Sequence, residues 1–193
     1  DLAEALEVRF LANRDKYLHF GLLTDFKDSA HEKLEEDEHL IQLISKKITE
    51  LNEKYQGENR DTFFLFHRPR KWNPKDRIWM GYERKRGKLS DLNSLLRGGP
   101  EKLFSVIIGN TRFLRKIKYV ITLDSDTQLP RDSARQFIGA MSHPLNKPKY
   151  DTVKKRVTEG YSILQPRVAV SLPGTKRSAY AKMFGSEPGI DPY

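Results

Sequence analysis

Residues 118–128, KYVITLDSDTQ, combine an apolar stretch with two closely spaced aspartates. Between residues 119 and 123 only Thr122 is polar, which predicts a buried strand. Asp124 and Asp126 follow at once, and in extended backbone side chains two residues apart point the same way. Two converging carboxylates can hold Mg²⁺ or Mn²⁺, with substrate phosphates and water completing the shell. The alternative is a solvated turn, because Asp, Ser and Thr are common in turns.

Predicted helices and strands alternate through the rest of the chain. Helical spacing of apolar residues, together with glycine and proline boundaries, predicts helices over residues 1–13, 32–55, 87–99, 131–142 and 176–184. Short apolar runs predict further strands over residues 18–23, 62–68 and 160–168. A basic loop is expected at residues 68–79 and a connecting segment at residues 98–110. This alternation predicts an α/β fold with a mostly parallel sheet and helices on both faces, whose ligands bind at the carboxyl ends of the strands.

The chain is basic and contains no cysteine. Its 193 residues correspond to one domain or a large part of one, and 35 Lys and Arg against 26 Asp and Glu give a net charge of +9. This balance favours an anionic partner, which can be nucleic acid, an anionic membrane surface or a phosphorylated substrate. The absence of cysteine excludes disulfides and thiolate metal sites. No apolar run approaches the roughly 18 residues of a membrane helix, so we expect a soluble chain. The chain opens directly in a helical pattern without Met and stops at GIDPY, so we expect it to be a piece of a longer protein.

Polar residues at the ends of two other predicted strands are candidates for ligand binding. Asp25 follows the 18–23 strand and can accept hydrogen bonds from a uracil ring or from ribose hydroxyls. The alternative, strongest for the nearby Asp28, is a capping role at the next helix. Gln165 and Arg167 end the last predicted strand and can contact sugar hydroxyls and phosphate, although structural roles are equally open.

A dense cationic run, RKRGK, precedes the third predicted helix. Helix N-termini bind anions, so Lys85, Arg86 and Lys88 are candidates for contacts with a diphosphate. Asn93 lies within that helix and can turn its amide toward the same cleft. The alternative is a solvated basic face. Four aromatic side chains can stack on a sugar or a base but are more often part of a core: His67, Trp72, Trp79 and Tyr82.

Four segments occur in an order that resembles family-2-type glycosyltransferases of the GT-A fold: TDFKDS, ERKRGKLSDLN, YVITLDSDTQLPRDS and ILQPRV. In that family an acidic strand end binds the nucleotide base, a Gly-Lys segment with a downstream Asn follows, and Asp-x-Asp binds ribose and metal. The similarity is closer to the glycosyltransferase region of cyclic β-1,2-glucan synthases, and it covers residues 6–193. Typical segments of that group are FLFHRPRKWN, WMGYERKRGKLSDLN, MSHPLNKP, EGYSILQPRV and GSEPGIDPY.

The resemblance implies that residues 1–193 are part of a GT-A domain that binds UDP-glucose with Mg²⁺ or Mn²⁺. The nucleotide sugar is expected at Asp25, Lys85, Arg86, Lys88, Asn93, Asp124, Gln165 and Arg167, and the metal at Asp124 and Asp126. The implied reaction is an inverting transfer of glucose to a growing β-1,2-glucan, the acceptor. The implied enzyme is a large multidomain synthase of the bacterial inner membrane whose transferase region faces the cytoplasm.

Two parts of such a domain are expected outside this chain. The first GT-A strand is expected upstream of residue 1, and the catalytic base is expected on an acidic segment downstream of Tyr193. An inverting transferase needs that base to take the proton of the acceptor hydroxyl. We therefore expect this chain alone to bind donor weakly, if at all, and not to turn over.

Two other classes compete with this interpretation. A haloacid-dehalogenase-like phosphatase also has an apolar strand followed by Asp-x-Asp and would use Asp124 as its nucleophile, but that family expects Thr or Val where this chain has Gln128. A nucleic-acid-binding module would explain the net charge of +9 and the interleaved Trp72 and Trp79. It gives no reason for Asp124 and Asp126 beside a basic groove, because carboxylates repel phosphate unless a metal intervenes. Nucleic acid is therefore not an expected partner.

Overall fold

The computed structural model describes residues 2–55 and 61–166. The chain divides into two compact units, Asp1–Gln136 and Phe137–Tyr193. The α-helices in the described residues are α1 (Leu2–Ala12), α2 (Glu35–Lys54), α3 (Arg84–Leu96) and α4 (Ser133–Ser142). The strands are β1 (Phe20–Asp25), β2 (Phe63–Arg68), β3 (Lys71–Asn73), β4 (Ile78–Met80), β5 (Val106–Ile108), β6 (Lys149–Asp151) and β7 (Arg156–Glu159). Short 3₁₀ helices lie at Glu101–Leu103, Thr111–Lys116 and Pro144–Asn146.

The first unit contains a three-stranded sheet in the order β1-β2-β5, with β2 in the centre. β1 and β2 are parallel, and their register runs from Phe20 opposite Phe63 to Asp25 opposite Arg68. β5 pairs with the other edge of β2 in the antiparallel direction. All six residues of β2, FFLFHR, are buried. A strand that is covered on both faces has a nearly continuous apolar sequence, which explains why β2 was predicted from its apolar run.

Alternate side chains of β2 contribute to two separate hydrophobic clusters, because successive side chains of a strand point to opposite faces. Phe63 and Leu65 belong to a cluster with buried residues of α1 and α2. Phe64 and Phe66 belong to a second cluster, which contains Leu95 of α3. Helices therefore cover both faces of this sheet, and α3 is held on the face opposite to α1 and α2.

The longest described helix, α2, has 20 residues and is amphipathic. Its Ile48 and Leu51 are buried, while its first turn carries four acidic residues. Because the helix buries one stripe against the sheet, its polar face lies in solvent. No helix in the described parts of the chain is both long enough and apolar enough to cross a bilayer.

The prediction of a mostly parallel sheet is wrong for the described residues. β1 and β2 form a parallel pair, but β2–β5, β3–β4 and β6–β7 are antiparallel. The predicted strand at residues 118–123 is also wrong, because this run forms neither helix nor strand and its Val120 is 54% exposed. A strand needs a partner for its backbone hydrogen bonds, and residues 118–123 pair with none of the described strands. The segment at residues 98–110, expected to be a connection, supplies that strand.

The expected basic loop at residues 68–79 is instead a β-hairpin. Trp72 of β3 stands opposite Trp79 of β4, and their ring centroids are 5.7 Å apart. Asn73 Oδ1 accepts a hydrogen bond from the backbone N–H of Lys75 at 3.0 Å, which closes the turn between the strands. Aromatic cross-strand pairs stabilise such short hairpins, and the loop prediction gave too little weight to this pair.

Helix α3 begins three residues before the predicted start at Gly87. A Cβ at Gly87 would lie 2.1 Å from the carbonyl oxygen of Tyr82 and 2.9 Å from Arg68 Nη1. Gly87 is therefore not a boundary signal. It is the point of close approach that lets the helix start lie against the end of β2.

In the second unit, β6 and β7 form an antiparallel hairpin in which Asp151 pairs with Arg156. The predicted strand at residues 160–168 is wrong over residues 161–166, which form neither helix nor strand. Ile163 is largely exposed there, and Pro166 lacks the N–H that a ladder needs. Residues 167–168 and the predicted helix at residues 176–184 lie outside the described residues.

Candidate functional site

The parallel ends of β1 and β2 place Asp25 beside Arg68. Arg68 Nε donates to Asp25 Oδ1 at 2.8 Å, and Arg68 Nη2 donates to Asp25 Oδ2 at 3.2 Å. Arg68 Nη1 donates to Asp91 Oδ2 of α3 at 2.7 Å. A bidentate ion pair of this kind fixes the orientation of the Asp25 carboxylate as well as its distance from Arg68. One buried guanidinium therefore joins two carboxylates that come from different elements.

Arg68 also holds the start of α3. Its Nη2 donates to the carbonyl oxygens of Tyr82 at 3.0 Å and Arg84 at 3.3 Å. Burial disfavours the charged guanidinium, but the hydrogen bonds to Asp25 and Asp91 outweigh burial and raise the pKa of Arg68. This strand end is thus a compact ionic cluster that positions the first turn of the helix.

An open cleft of about 420 Å³ lies beside this cluster. Its lining residues come from the end of β1, the loop that follows it and the start of α3: Asp25, Phe26, Lys27, Asp28, Gly81, Arg84 and Lys88. Lys88 Nζ lies 3.6 Å from Asp25 Oδ2, and Arg84 Nη2 donates to Asp28 Oδ2 at 2.6 Å. The structure therefore brings two of the predicted site residues, Asp25 and Lys88, into one cleft.

The aspartates of the 118–128 segment lie on an exposed turn. The backbone N–H of Thr127 donates to the carbonyl oxygen of Asp124 at 3.1 Å and closes the turn Asp124–Thr127. Lys85 Nζ donates to Asp124 Oδ1 at 2.6 Å, although 39 residues separate the two along the chain. The Lys85 side chain is 63% exposed and that of Asp124 is 54% exposed. This contact joins the predicted cationic run to a predicted metal ligand.

The remaining predicted residues have other surroundings. Arg86 pairs with Glu83, with 2.5 Å between Nη2 and Oε1, at the start of its own helix. Asn93 is exposed on α3 and is not among the residues that line the cleft. Gln165 belongs to the second unit, and Arg167 lies outside the described residues.

His67, which precedes Arg68 in β2, is only 3% exposed and is therefore not placed to stack on a ligand. Its Nδ1 lies 2.8 Å from Thr24 Oγ1, while its Nε2 is buried with no hydrogen-bond partner in the described chain. Burial lowers the pKa of His67 to about 4. The imidazole is therefore neutral at neutral pH, and protonation would place a charge in the core beneath the cleft.

Asp124 and Asp126 are candidate ligands of a divalent cation, but the extended strand on which their carboxylates were expected to converge is absent. Mg²⁺ is commonly bound through one or two carboxylates and completes its shell with water and substrate phosphates. Both carboxylates are exposed on one turn, so phosphate and water have access to them. Within the described residues no three His, Cys, Asp or Glu side chains gather into a group that could hold a metal. A metal held by these two residues would need further ligands, such as substrate phosphates and water.

Sequence reasoning missed two arginines that organise this region. Arg68 ends a buried strand, and Asp25 ends the neighbouring strand. This shared position at strand ends was the signal that could have identified Arg68. Arg9 of α1 donates to three carbonyl oxygens of the Asp124–Thr127 turn. No local motif marks Arg9, because only the folded chain brings it to a turn more than 110 residues away.

Three features of the first unit bear charge: the acidic end of β1, the cationic start of α3 and the exposed Asp124–Thr127 turn. Cations of this kind can contact phosphate, and exposed carboxylates of this kind can contact a divalent cation. Over its whole length the chain is similar to a region of the cyclic beta-(1,2)-glucan synthase NdvB of Rhizobium meliloti (strain 1021), with 41% identity over 194 residues. The match covers 100% of this chain and 7% of the length of that protein. No protein-family model matches the chain.

This similarity supports a glucan synthase-related region and, more broadly, a region related to glycosyltransferases. It does not favour the phosphatase or the nucleic-acid-binding module. The chain is thus similar to part of a much larger enzyme, and two of its ion pairs, Arg68 with Asp91 and Lys85 with Asp124, involve residues of α3.

Proposed function

We propose that this chain forms the donor-binding part of a glycosyltransferase and that the donor is UDP-glucose, bound with Mg²⁺ or Mn²⁺. The observation that carries the proposal is the contact of 2.6 Å between Lys85 Nζ and Asp124 Oδ1. It brings a cation suited to phosphate against a carboxylate suited to a metal, from distant parts of the chain. The 41% identity to a cyclic glucan synthase supports the class of ligand. A GT-A arrangement is part of the same proposal.

The two kinds of charge suit the two parts of a diphosphate site. Lys85, Lys88 and Arg84 supply cations for phosphate oxygens. Asp124 and Asp126 would hold the metal, which neutralises charge on the departing nucleoside diphosphate. Since the metal and the Lys85 ammonium compete for the Asp124 carboxylate, metal binding frees Lys85 to contact phosphate.

Asp25 has a more restricted role than a free carboxylate would have. Its side chain is 10% exposed, and both of its oxygens already accept hydrogen bonds from Arg68. It still lines the cleft, and a carboxylate oxygen can accept more than one hydrogen bond. We therefore propose that Asp25 contacts the base or the ribose in an orientation that Arg68 sets.

The wider enzyme belongs to the same proposal. The chain spans 7% of the length of its relative, so inverting transfer to a β-1,2-glucan acceptor is proposed for the full-length protein. Its place in a large multidomain membrane synthase and its location at the cytoplasmic face are proposed in the same way. The base that deprotonates the acceptor is not assigned to this chain, so binding without turnover is the expected behaviour.

Isothermal titration of UDP and UDP-glucose with and without Mn²⁺ tests this proposal. We expect Mn²⁺-dependent binding to the wild-type chain and a loss of about tenfold or more in Asp126→Asn, which removes one ligand charge. Glu53→Gln removes one negative charge from an exposed position on α2 and serves as the matched control, with affinity within about twofold of wild type.

Two results would contradict the proposal. A folded wild-type chain whose UDP affinity is the same with and without Mn²⁺ has no metal-assisted donor site. Salt-dependent binding to random DNA without any preference for UDP would favour the nucleic-acid-binding module instead.

A further inference from the structure

The Asp124–Thr127 turn has little regular structure of its own to hold it. The residues from Ile117 to Pro130 form neither helix nor strand, so no ladder of backbone hydrogen bonds fixes the turn. Within the turn, the N–H of Thr127 donates to the carbonyl oxygen of Asp124 at 3.1 Å. A site for a divalent cation needs its ligands held to within about half an ångström of the positions in which they bind the metal. Contacts from outside the turn must therefore supply that order.

Arg9 of α1 supplies such contacts with a single guanidinium group. Its Nη2 donates to the carbonyl oxygens of Thr127 at 2.7 Å, Ser125 at 3.0 Å and Asp124 at 3.4 Å. Its Nε donates to the Thr127 carbonyl at 3.2 Å. Three carbonyl oxygens of one turn therefore converge on Arg9. The Asp124 carboxylate is engaged separately, by Lys85.

Asn13 ties down the stretch that follows the turn. Its Nδ2 donates to the carbonyl oxygen of Pro130 at 3.1 Å, and its Oδ1 accepts a hydrogen bond from the N–H of Ala134 at 3.0 Å. The N–H of Asp132 donates to the carbonyl oxygen of Ala12, the last residue of α1, at 3.1 Å. Asn13 is 3% exposed, and its hydrogen bond from the N–H of Ala134 is buried.

Helix α1 is itself firmly attached to the first unit. Ala3 and Leu6 are buried in the cluster that contains β2. The Glu7 carboxylate accepts hydrogen bonds from Lys54 Nζ at 2.8 Å and from the Tyr55 hydroxyl at 2.5 Å, both at the end of α2. The backbone of α1 can therefore act as a fixed support for the Arg9 side chain.

We propose that Arg9 is a positioning residue for the metal and nucleotide site, because it fixes the turn that carries Asp124 and Asp126. This inference rests on the proposed function. The planar guanidinium presents several N–H groups in a fixed fork, which the single ammonium of a lysine cannot reproduce. Arg9 acts on the carbonyl side of the turn and leaves the carboxylate of Asp126 for ligands.

The test compares Arg9→Gln, Arg9→Lys and the control Arg14→Gln, which removes a neighbouring exposed arginine that stacks on Phe10 and Tyr55. Two quantities are measured: Mn²⁺-dependent UDP affinity by calorimetry, and amide exchange of Thr127 by NMR. We expect Arg9→Gln to lower the Mn²⁺-dependent affinity about tenfold and to speed Thr127 exchange by a similar factor. Metal-free affinity should not change.

The conservative variant separates positioning from a loss of folding. Arg9→Lys keeps the charge and should fold, with an affinity between those of wild type and Arg9→Gln. Arg14→Gln should stay within about twofold of wild type in both quantities. Thermal denaturation shows whether each variant is folded.

Each outcome bears on the inference. Unchanged Thr127 exchange in Arg9→Gln and Arg9→Lys would show that Arg9 does not hold the turn, whatever happens to nucleotide binding. Faster exchange with unchanged Mn²⁺-dependent affinity would limit Arg9 to a structural role and overturn the positioning inference. A wild-type chain without Mn²⁺-dependent affinity would overturn the proposed function, and the positioning inference with it, while Thr127 exchange would still decide whether Arg9 holds the turn.

Discussion

Two aspartate-bearing regions contact the start of α3, and they are built in opposite ways. At the end of β1, Asp25 is nearly buried and receives two hydrogen bonds from the buried Arg68. On the turn, Asp124 is about half exposed and meets the flexible side chain of Lys85. A buried charge that loses its partner is costly, whereas an exposed pair contributes little to stability. The first region therefore holds the helix in place, and the second is free to exchange its partner for a ligand.

Replacement of Arg68 should have the largest effect on stability, because it disrupts the buried ionic cluster at the end of β1 and β2. Arg68→Met removes the cation that joins Asp25 and Asp91, leaves Asp25 with only the more distant Lys88, and should lower the free energy of unfolding by about 3–5 kcal/mol. Urea denaturation followed by circular dichroism measures the change. Adding Asp25→Asn should restore part of the loss, since less charge is then left unpaired. A loss below about 1 kcal/mol would mean that the cluster does not hold α3.

The buried region should also respond to pH through His67. Folding lowers the pKa of His67 to about 4, from an unfolded value near 6.5. Between these values the unfolded chain binds the proton more readily than the folded chain. The stabilisation from neutral His67 is therefore complete above about pH 6.5 and is lost as the pH falls toward 4, by about 3 kcal/mol in total.

Comparison of wild type with His67→Gln isolates this contribution. The variant lacks the titrating ring, so its unfolding free energy should fall less between pH 7 and pH 5. His31→Gln removes an exposed histidine and should keep the wild-type dependence. A difference between wild type and His67→Gln that stays constant over this pH range would contradict the assignment.

The smallest effect on stability is expected from replacement of Lys85, which pairs with Asp124 of the exposed turn. Lys85→Met should change the free energy of unfolding by less than about 0.5 kcal/mol, because its ion pair is in solvent. The same variant should weaken Mn²⁺-dependent UDP binding about tenfold, as expected for one charge-assisted hydrogen bond. Lys75→Met, on the turn between β3 and β4, is the control for net charge. Equal losses in both lysine variants would indicate a general charge effect without a phosphate contact.

The sequence predicts the best-packed elements well. The apolar runs near β1 and in β2 mark real strands, because both lie in a sheet that is covered on two faces. The helical spacing in α1 and α2 is confirmed within a few residues, since each buries a stripe of apolar side chains. Local patterns of this kind report burial directly.

The sequence-based predictions are wrong where contacts between distant parts of the chain decide the local structure. The run at residues 118–123 has the composition of a strand but pairs with no described strand, whereas β5, from a segment with a weaker pattern, pairs with β2. The direction of β5 also depends on a connection that no local pattern encodes. Arg9 could not be predicted, because its role exists only after α1 is packed beside the turn.

Binding of a Mn²⁺–UDP complex at the Asp124–Thr127 turn is tested most directly by paramagnetic broadening in amide NMR spectra of the wild-type chain. The amide signals of Ser125, Asp126 and Lys85 should broaden first as small amounts of Mn²⁺ are added in the presence of UDP. Signals of Glu53 on α2 should stay sharp at the same metal concentration. Broadening that begins at the acidic first turn of α2 and leaves the Asp124–Thr127 turn unaffected would contradict the proposed site.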